Sequence, residues 1–482
     1  MLNMEWVIEK IKRDGNSTIS GILNDLIKDH EPKKDKMIAN YKRYKASLDP
    51  DGVPIFTREF KDSPQKINRK DNNAFDADVI DVKIGYMLGN PIIYELDKRN
   101  YTEVVEDGED IFDEKRYAMD FKVIEEFNTR NDVEDIDGET EKMASICGYA
   151  ARLLYIDTDG KERVKNINPW ECIFINDGSL NEAQYAMRYY EIIINEKPFT
   201  YVEWYDDKNI TFYISAESSG STTSDMTFHP YEGKEGNNPM SHMFDGIPMI
   251  QFKNNEEIQG DCDKVYNLID DYDFTLSDVA SEIEQFRLAY MAMYGVSIDD
   301  DDLEKAKKTG VFSFPEENSR MEFITKKLDD AVVEHHLDRL EENIYRFAKS
   351  VNFNDEAFGG NVSGIAMKFK MFALESKCII SERKFDAALR TQYKILGSAW
   401  AIKGTDIDYL MMVFIWTRNF PLNLLDEAKT AQLMKGIIPD ELLYSLMSFI
   451  DDPKKVVEQM AEQQEGMIDM NAPLEGEGDD EE

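Results

Sequence analysis

The residues best suited to chemistry in this sequence are its numerous carboxylates and one pair of adjacent histidines, His335 and His336. Two imidazoles can start a metal site, but adjacent residues of a helix point about 100° apart, which favours surface or interface histidines. The acidic run Asp299–Asp302 could serve a two-metal or acid–base site. It fits better as a cap on a short helix predicted at Leu303–Lys308, because carboxylates complement the N-terminal helix dipole.

Sequence motifs of common enzymes are missing. The sequence has no GxxxxGK[ST] phosphate-binding loop, no GxSxG nucleophile turn and no HExxH metal motif. Asp157–Gly160 (DTDG) looks like part of a calcium loop, but Tyr155 occupies the first ligand position and no glutamate closes the loop. We interpret it as a plain turn. The sequence therefore predicts no enzyme, no cofactor and no metal site.

The charge of the chain is strongly negative. Its 482 residues include 96 acidic and 56 basic side chains, which gives a formal charge of −40. Such a charge disfavours tight wrapping of nucleic acid, although DNA could still slide past without being held. The segment from Lys33 to Lys70 is locally basic. This segment fits either a solvated helix face with a loop, or a patch that contacts an acidic neighbouring subunit or nucleic acid.

Hydrophobic residues make up 42% of the sequence, which is enough for a substantial core. The four cysteines are far apart and form no CxxC pair, which predicts buried free thiols. The longest strongly apolar run, Tyr409–Trp416, falls well short of the roughly 20 residues that a membrane span requires. We expect a soluble chain without a membrane segment.

Several segments have apolar residues at steps of three and four, the pattern of amphipathic helices. Helices are predicted at Ile19–Leu48, Ile111–Asn131 and Glu139–Ala150. Another helix is expected to end at Gly89-Asn90-Pro91, ahead of a strand at Ile92–Leu96. Its predicted apolar face consists of Phe75, Val79, Val82, Tyr86 and Met87.

Short strands are predicted between the helical parts. A hairpin is expected from Ala151, and a tyrosine-rich meander should follow at Gln184–Ile194, Phe199–Tyr205 and Asn209–Ile214. A further strand is expected near Met249 and another at Ile407–Trp416. The mixture predicts an α+β, mainly helical fold.

The longest predicted helices flank a short appendage. Asp261–Tyr294 has one apolar seam and an acidic opposite face, and is predicted as one continuous helix. The appendage, Val296–Thr325, should contain strands at Val311–Phe314 and Met321–Ile324. The chain then forms a helix, a break and a second helix between Lys326 and Lys403.

The break is Asn352–Ala366 (NFNDEAFGGNVSGIA), whose glycines permit positive φ. The next segment, Met367–Trp400, contains no proline and a single glycine, Gly397, which is a candidate bend. Unbroken, it would form a helix roughly 50 Å long. Its apolar residues do not keep to one stripe, which predicts burial against several neighbours.

Four segments carry a resemblance to a known family. They are NAFDADVIDVKIGYMLGNPIIYE, DKVYNLIDDYDFTLSDVASEIEQF, GGNVSGIAMKFKMFALESKC and RNFPLNLLDEAKTAQLMKGIIPDELL. They resemble, in family order, segments of the portal proteins of tailed double-stranded DNA bacteriophages, in particular long-tailed phages of Gram-positive hosts. Pro439 departs from the pattern, because a serine often stands there. The resemblance extends from about Ile22 to Glu465.

The resemblance implies a portal-type fold, assembled as a homo-oligomeric ring, typically of twelve copies, at one vertex of the virion capsid. Double-stranded DNA would be packaged and ejected through its channel. The implied regions are a wing at 1–260, a stem helix at 261–295, a clip at 296–325, a second stem helix at 326–351, a tunnel loop at 352–366, a long helix and wing strand at 367–420, a crown at 421–470 and an acidic disordered tail at 471–482.

The resemblance also implies partners and site residues. The partners would be the terminase large subunit, a head–tail adaptor protein, and capsid and scaffolding proteins, met in the host cytoplasm during assembly. The DNA-facing residues of the tunnel loop would be Asn354, Glu356, Phe358, Gly359, Gly360, Asn361 and Ser363. Candidates for lining the channel are Lys349, Lys368 and Lys370. Partner docking at the clip would involve Asp300, Lys305, Lys308, Phe312 and Phe314.

Two alternatives remain beside a portal. The chain could be another ring-forming head–tail adaptor, although the long helix–break–helix unit argues against that class. A metal-dependent nuclease using the carboxylates is the second alternative, but no carboxylates stand at ligand spacing.

Overall fold

The computed structural model describes residues 2–15, 18–46, 69–104, 110–178, 182–215, 226–231, 237–286, 290–294, 304, 320–324, 330–353, 364–419, 424–445, 447, 450, 456–457 and 460. The chain divides into two compact units. The first comprises Met1–Asn352 and Ala373–Arg418, and the second Phe353–Phe372 and Asn419–Glu482. The described residues mix helix and sheet, so the predicted α+β class is confirmed.

Helices form a large part of the first unit. They are α1 (Met4–Asp14), α2 (Ile19–Lys45), α3 (Phe75–Leu88), α4 (Glu114–Asn131), α5 (Val133–Cys147), α6 (Tyr266–Phe286), α7 (Asp330–Ala348) and α8 (Gly364–Ile402), whose first residues belong to the second unit. The prediction of α2 is confirmed, and Pro32 lies inside it without ending it. The prediction for α5 was wrong at both ends: Asp132 adopts positive φ, ends α4 and leads directly into α5, and Gly148, also at positive φ, ends α5 after Cys147.

The strands of the first unit are β1 (Ile93–Leu96), β2 (Thr102–Val104), β3 (Asp110–Phe112), β4 (Tyr149–Ile156), β5 (Glu162–Ile167), β6 (Cys172–Ile175), β7 (Tyr185–Ile194), β8 (Lys197–Tyr205), β9 (Asn209–Ser215), β10 (Phe228–Pro230), β11 (Met240–Ser241), β12 (Met249–Lys253), β13 (Tyr290–Tyr294), β14 (Arg320–Ile324) and β15 (Met412–Ile415). The predicted hairpin is confirmed as β4–β5, and the predicted meander as β7–β9.

Strand pairing is antiparallel in every sheet of the described chain. One sheet has the order β10-β9-β8-β7-β6, with β11 on β9, and another the order β12-β4-β5. β1 pairs with β15, β2 with β3, and β13 with β14. The pairing of Ile93 with Ile415 joins segments from distant parts of the chain.

The core of the first unit lies where the helices meet these sheets. α1 and α2 cover one face of the meander sheet. Leu23 of α2 and Trp204 of β8 are both buried in the cluster between them. α4 and α8 pack with β1, β12 and β15 around Phe252, Phe385 and Leu389. α2, α3, α5, α6 and α7 meet in a further cluster that includes Ile269.

The helix predicted over Asp261–Tyr294 was wrong at both ends. Residues 261–265 form turns, and α6 ends at Phe286. Tyr290–Tyr294 is instead strand β13, whose partner β14 confirms the strand predicted at Met321–Ile324. A tyrosine-rich segment takes strand geometry when a distant strand is available to pair with it, and helical spacing alone does not reveal that partner.

The strand predicted over Ile407–Trp416 is shorter than expected. A 3₁₀ turn at Tyr409–Met411 precedes β15, and the side chain of Asp408 accepts the backbone N–H of Leu410 to begin that turn. The residues of β15 alternate: Met412 and Phe414 are buried in the core, whereas Val413 and Ile415 are partly exposed.

Helix α8 runs without interruption through Gly397, so the candidate bend is not a break. A Cβ at Gly397 would lie 3.2 Å from the carbonyl oxygen of Ile407, so this glycine permits a close approach of the backbone. The expected burial on several sides holds for residues such as Leu374 and Leu389. It was wrong for the isolated chain at Phe369 and Phe372, which are 78% and 69% exposed.

The described part of the second unit contains the beginning of α8, then α9 (Leu424–Met434) and α10 (Asp440–Ser445). Gly436, at φ +82°, stands between α9 and α10. The expected acidic tail at 471–482 lies outside the described residues.

Candidate functional site

The site singled out by the sequence is the helical unit around the break at Asn352–Ala366. Its described core is an antiparallel pair formed by α6 and α7. Asp271 of α6 lies 3.4 Å from His336, which stands in the first half of α7. The two helices bury Ile269, Leu337 and Ile344. Their apolar faces therefore serve packing within one chain.

Lys377 of α8 lies at the end of this helix pair where α6 begins and α7 ends. Its Nζ donates a hydrogen bond to the carbonyl oxygen of Ala348, in the last turn of α7, at 3.0 Å. The same Nζ lies 3.2 Å from Oδ2 of Asp261, just ahead of α6. Lys377 is mostly buried and Asp261 almost completely so. One lysine thus holds α8, the end of α7 and the approach to α6.

Asp261 meets a second buried lysine, Lys83 of α3. The Nζ of Lys83 lies 3.3 Å from Oδ2 of Asp261 and 2.7 Å from Oε1 of Glu141. It also donates to Asn254 and Ser145 at 2.8 and 2.9 Å. Burial alone would lower the pKa of Lys83, but the attraction of Asp261 and Glu141 outweighs burial and raises that pKa.

The same charges act on Asp261. Burial alone would raise the pKa of its carboxyl group, but Lys377 and Lys83 lower it to about 2. Asn254 adds a hydrogen bond to Oδ1 of Asp261 at 2.9 Å. Asp261 therefore stays ionised and holds two cations in the interior.

The chain ahead of α6 also packs backbone against backbone. Gly148, at the end of α5, has φ +89°, and a Cβ there would lie 2.5 Å from the carbonyl oxygen of Ile258. A Cβ at Gly260 would lie 2.5 Å from the carbonyl oxygen of Ile146. These two glycines therefore fix the approach to α6 against the end of α5.

A segment at 69–73 lies along α6 and donates backbone N–H groups to it. The N–H of Asn73 donates to Asp273, that of Asp71 to Ser277, and that of Arg69 to Ser281, at 3.0, 3.0 and 3.1 Å. The acceptors stand four residues apart, or one helical turn, whereas the donors stand two residues apart. All three acceptors are buried. We call this segment the α6 arm.

Arg43 links α2 to α3 and α6. Its guanidinium donates to Asp270 at 2.7 Å and to Asp76 at 3.4 Å, and lies over the ring of Tyr266. Burial raises the pKa of Asp76 to about 6, although Arg43 opposes that shift. Asp76 is therefore the weaker partner of Arg43 at mildly acidic pH.

The predicted site residues are only partly described. The DNA-facing set from Asn354 to Ser363 lies outside the described residues, and so does the clip set from Asp300 to Phe314. Lys349 is exposed directly after α7 and has φ +54°. Lys370 is exposed on α8, and Lys368 belongs to the same helix, but its side chain is not described.

The histidine pair is exposed as predicted, and His336 faces Asp271. In the described part of the chain, no group of three or more His, Cys, Asp or Glu side chains is arranged to hold a metal ion. None of the described helices is long and apolar enough to span a membrane. The four cysteines are buried free thiols, as predicted.

The sequence did not reveal the roles of Lys83, Asp76 and Lys377. The spacing of charged residues in α3 could have indicated two of these roles, because Asp76 and Lys83 share the helix face of the apolar residues. The buried face consists of Phe75, Asp76, Val79, Ile80, Lys83 and Met87. The predicted face was wrong to include Val82 and Tyr86 in place of the two charged residues. A charged residue at core spacing indicates a buried ion pair, but the spacing does not name its partner.

Comparisons with known proteins identify the family of this chain. A family model described as phage portal protein, SPP1 Gp6-like, matches residues 23–469. A portal protein of Clostridium phage phiCD119 is 25% identical over 427 residues, which cover 83% of this chain and 86% of that protein. A portal protein of Bacillus phage SPP1 is 24% identical over 438 residues, which cover 85% of this chain and 79% of that protein. The chain therefore belongs to the family of SPP1 Gp6-like phage portal proteins.

Proposed function

We propose that this portal protein forms a ring, typically of twelve copies, and that double-stranded DNA passes through its channel during packaging and ejection. The observation that carries the proposal is the antiparallel α6–α7 pair, which Lys377 holds against the 39-residue helix α8. A helix pair that a long helix holds at one end suits the wall of a channel, because the position of the pair relative to that helix is fixed there.

The proposed regions follow the expectations from the sequence. They are the wing (1–260), the stem (261–295 and 326–351), the clip (296–325), the tunnel loop (352–366), the long helix with the wing strand (367–420), the crown (421–470) and the acidic tail (471–482). Within the stem, α6 and α7 would form the wall. The β13–β14 pair would join the stem to the clip.

The proposed contact with DNA is steric and polar. The tunnel loop contains neither Lys nor Arg, and the chain carries a charge of −40. Like-charged walls keep DNA from adhering, whereas a phosphate-binding surface would hold it in place. Lys349, Lys368 and Lys370 would line the channel next to the loop. These few cations would attract DNA locally without binding it tightly.

The proposed role is mechanical and does not include catalysis. The terminase large subunit and a head–tail adaptor would dock on the clip through Asp300, Lys305, Lys308, Phe312 and Phe314. Capsid and scaffolding proteins would contact the ring during assembly in the host cytoplasm. ATP hydrolysis during packaging would come from the terminase, because this sequence lacks a phosphate-binding loop.

Bulky substitutions in the tunnel loop test the proposal. Gly359→Trp with Gly360→Trp should narrow the channel and reduce DNase-protected DNA at least tenfold, while rings still assemble. Gly85→Leu is the control for adding a bulky side chain elsewhere, because a Cβ at Gly85 would meet no atom within 4 Å. Unchanged packaging by the double variant would remove the loop from the channel. A stable wild-type monomer that cleaves DNA with added Mg²⁺ would overturn the portal role itself.

A further inference from the structure

Two exposed arginines on α7, Arg339 and Arg346, form a cationic row that faces away from the core. Their spacing of seven residues places them on one helix face, which His335 shares. This face is opposite the buried Leu340 and Ile344. In the part of the chain that the structure describes, neither Arg339 nor Arg346 belongs to an ion pair. The guanidinium of Arg346 lies over the ring of Phe347, but the absence of a carboxylate partner for either described arginine is unexpected in a chain with a charge of −40.

Asp271 and Asp278 form an acidic row along one face of α6, and Asp271 also lies 3.4 Å from His336 of its own chain. Asp271 is exposed and Asp278 is half-buried, whereas Asp273 and Ser277, on the inner side, are buried beneath the α6 arm. Phe274 stands between the two carboxylates and is 39% exposed. The acidic row thus includes an aromatic surface.

We propose that the cationic row of α7 in one copy docks on the acidic row of α6 in a second copy. The proposal rests on the ring proposed above and names the surfaces that would join its subunits. Such a contact is head-to-tail: every copy offers α7 to one neighbour and α6 to the other, which is how cyclic rings close.

The spacing of the two rows is complementary. Arg339 and Arg346 stand seven residues apart, as do Asp271 and Asp278, so both pairs are separated by about 10.5 Å along their helices. Within one chain α6 and α7 are antiparallel, and rotation about a ring axis preserves that relation between neighbours. Both guanidinium groups can therefore meet carboxylates at once, and an arginine–carboxylate pair can form two hydrogen bonds.

A second copy fits the cationic row better than nucleic acid does. Glu342 lies on the same face between Arg339 and Arg346, and Glu334 and Asp338 are exposed beside the row. A phosphate backbone carries closely and evenly spaced negative charges, so it would place a charge opposite these carboxylates as well as opposite the arginines. An acidic row interrupted by Phe274 and Thr275 does not place a charge opposite every one of these carboxylates.

Two charge-reversal variants test the docking. The α7 reversal is Arg339→Glu with Arg346→Glu, and the α6 reversal is Asp271→Lys with Asp278→Lys. Each alone should raise the concentration needed for ring formation at least tenfold, measured by mass photometry on the full chain. Mixed in equal amounts, the two should form rings again, in which the variants alternate and the copy number is even.

Controls separate docking from folding. Circular dichroism must show each variant folded. Lys12→Glu with Arg13→Glu on α1 changes the net charge by the same amount as the α7 reversal but should leave assembly unchanged. If a reversal variant fails to fold, the milder Arg339→Gln with Arg346→Gln should still weaken assembly severalfold. Unchanged assembly by this milder variant would overturn the docking proposal.

The outcomes distinguish the proposals. Normal rings from the α7 reversal alone would overturn the docking, and if those rings failed to package DNA, the row would face DNA. Folded reversal variants that do not assemble when mixed would overturn it as well. A wild-type chain that never forms rings would overturn the proposed function together with the docking.

Discussion

Lys83 and Arg152 are completely buried, and each contacts a carboxylate. Arg152 lies 2.6 Å from Asp137, and its guanidinium also donates to Thr140 and Gln392. Taking such charges out of water costs several kcal/mol, which the ion pair offsets only when the remaining polar atoms are bonded. These residues therefore mainly fix the positions of the elements they join. Removing one partner should lower the free energy of unfolding, because the other charge stays buried.

Lys83→Met should destabilise the protein strongly. It leaves Glu141 and Asp261 buried with less compensating charge, which costs about 3 to 5 kcal/mol in comparable cases. Urea unfolding at fixed protein concentration measures the change. Lys384→Met is the matched control, because Lys384 forms an ion pair with Glu256 at the surface. Equal effects of the two substitutions would contradict the role assigned to the buried network.

The raised pKa of Asp76 predicts that this residue stabilises the fold less as pH rises. The raised pKa of about 6, against 3.8 for a free carboxyl, means that the folded protein keeps a proton that the unfolded chain releases. Its contribution to stability is present at low pH and is lost as pH rises from about 4 to about 6. A shift of this size corresponds to about 2 to 3 kcal/mol.

Asp76→Asn removes this titration. The unfolding free energy of the variant minus that of wild type should rise by about 2 to 3 kcal/mol from pH 4 to pH 7, because the amide stays neutral. Urea unfolding at both pH values measures the gain. Glu125→Gln, at an exposed position of α4, is the control and should show no such gain. A pH-independent difference between Asp76→Asn and wild type would contradict the raised pKa.

At the scale of elements, the α6 arm is held by polar groups of α6. Its backbone N–H groups donate to Asp273, Ser277 and Ser281, which are spaced by one helical turn. Ser277→Ala with Ser281→Ala removes two acceptors and should cost about 1 to 3 kcal/mol for each bond that water does not replace.

Ser277→Ala with Ser281→Ala should change exchange and proteolysis within the α6 arm itself. Hydrogen exchange at 69–73 should accelerate severalfold, and trypsin should cut faster after Arg69 and Lys70, because the arm is released from α6. Thr275→Ala, on the same helix but without a bond to the arm, should change neither rate. Unchanged exchange in the double variant would show that the serines do not hold the arm.

The elements that the sequence predicted well are those with local signals. The end of α3 at Gly89-Asn90-Pro91 and the β4–β5 hairpin depend on turn residues beside them. The extent of α6 was wrong because β13 depends on β14, and turns replace the predicted first helical turn. The pairing of β1 with β15 also depends on long-range contact, which periodicity does not report.

At the scale of the whole molecule, the family could be predicted from four short segments, whereas the contacts of the site could not. Lys377 stands in the third of those segments, yet its bonds to Ala348 and Asp261 exist only because α8 lies beside the helix pair. The α6 arm is a similar case, since Arg69 and Ser281 are separated by 212 residues. A sequence indicates which residues are charged or apolar, but only packing selects their partners.

Ionic strength should act on ring assembly in opposite directions through two interactions: the long-range repulsion between copies and the close contacts between charged rows. Copies with a charge of −40 repel one another over long distances, whereas the proposed contacts between α6 and α7 act at contact distance. Raising KCl from about 10 to about 100 mM shortens the Debye length from about 30 to about 10 Å, which screens the long-range repulsion more than the close ion pairs.

Moderate salt should therefore strengthen assembly of the wild-type ring. The concentration of half-assembly should fall severalfold between about 10 and about 100 mM KCl, because the Debye length becomes shorter than the distance over which whole copies repel each other. Mass photometry across this range measures it. The α7 reversal, with two more repulsive contacts for each interface, should still need more protein than wild type at every salt concentration. Wild-type rings that dissociate as salt rises over this range would show that the attraction between charged rows outweighs the net repulsion.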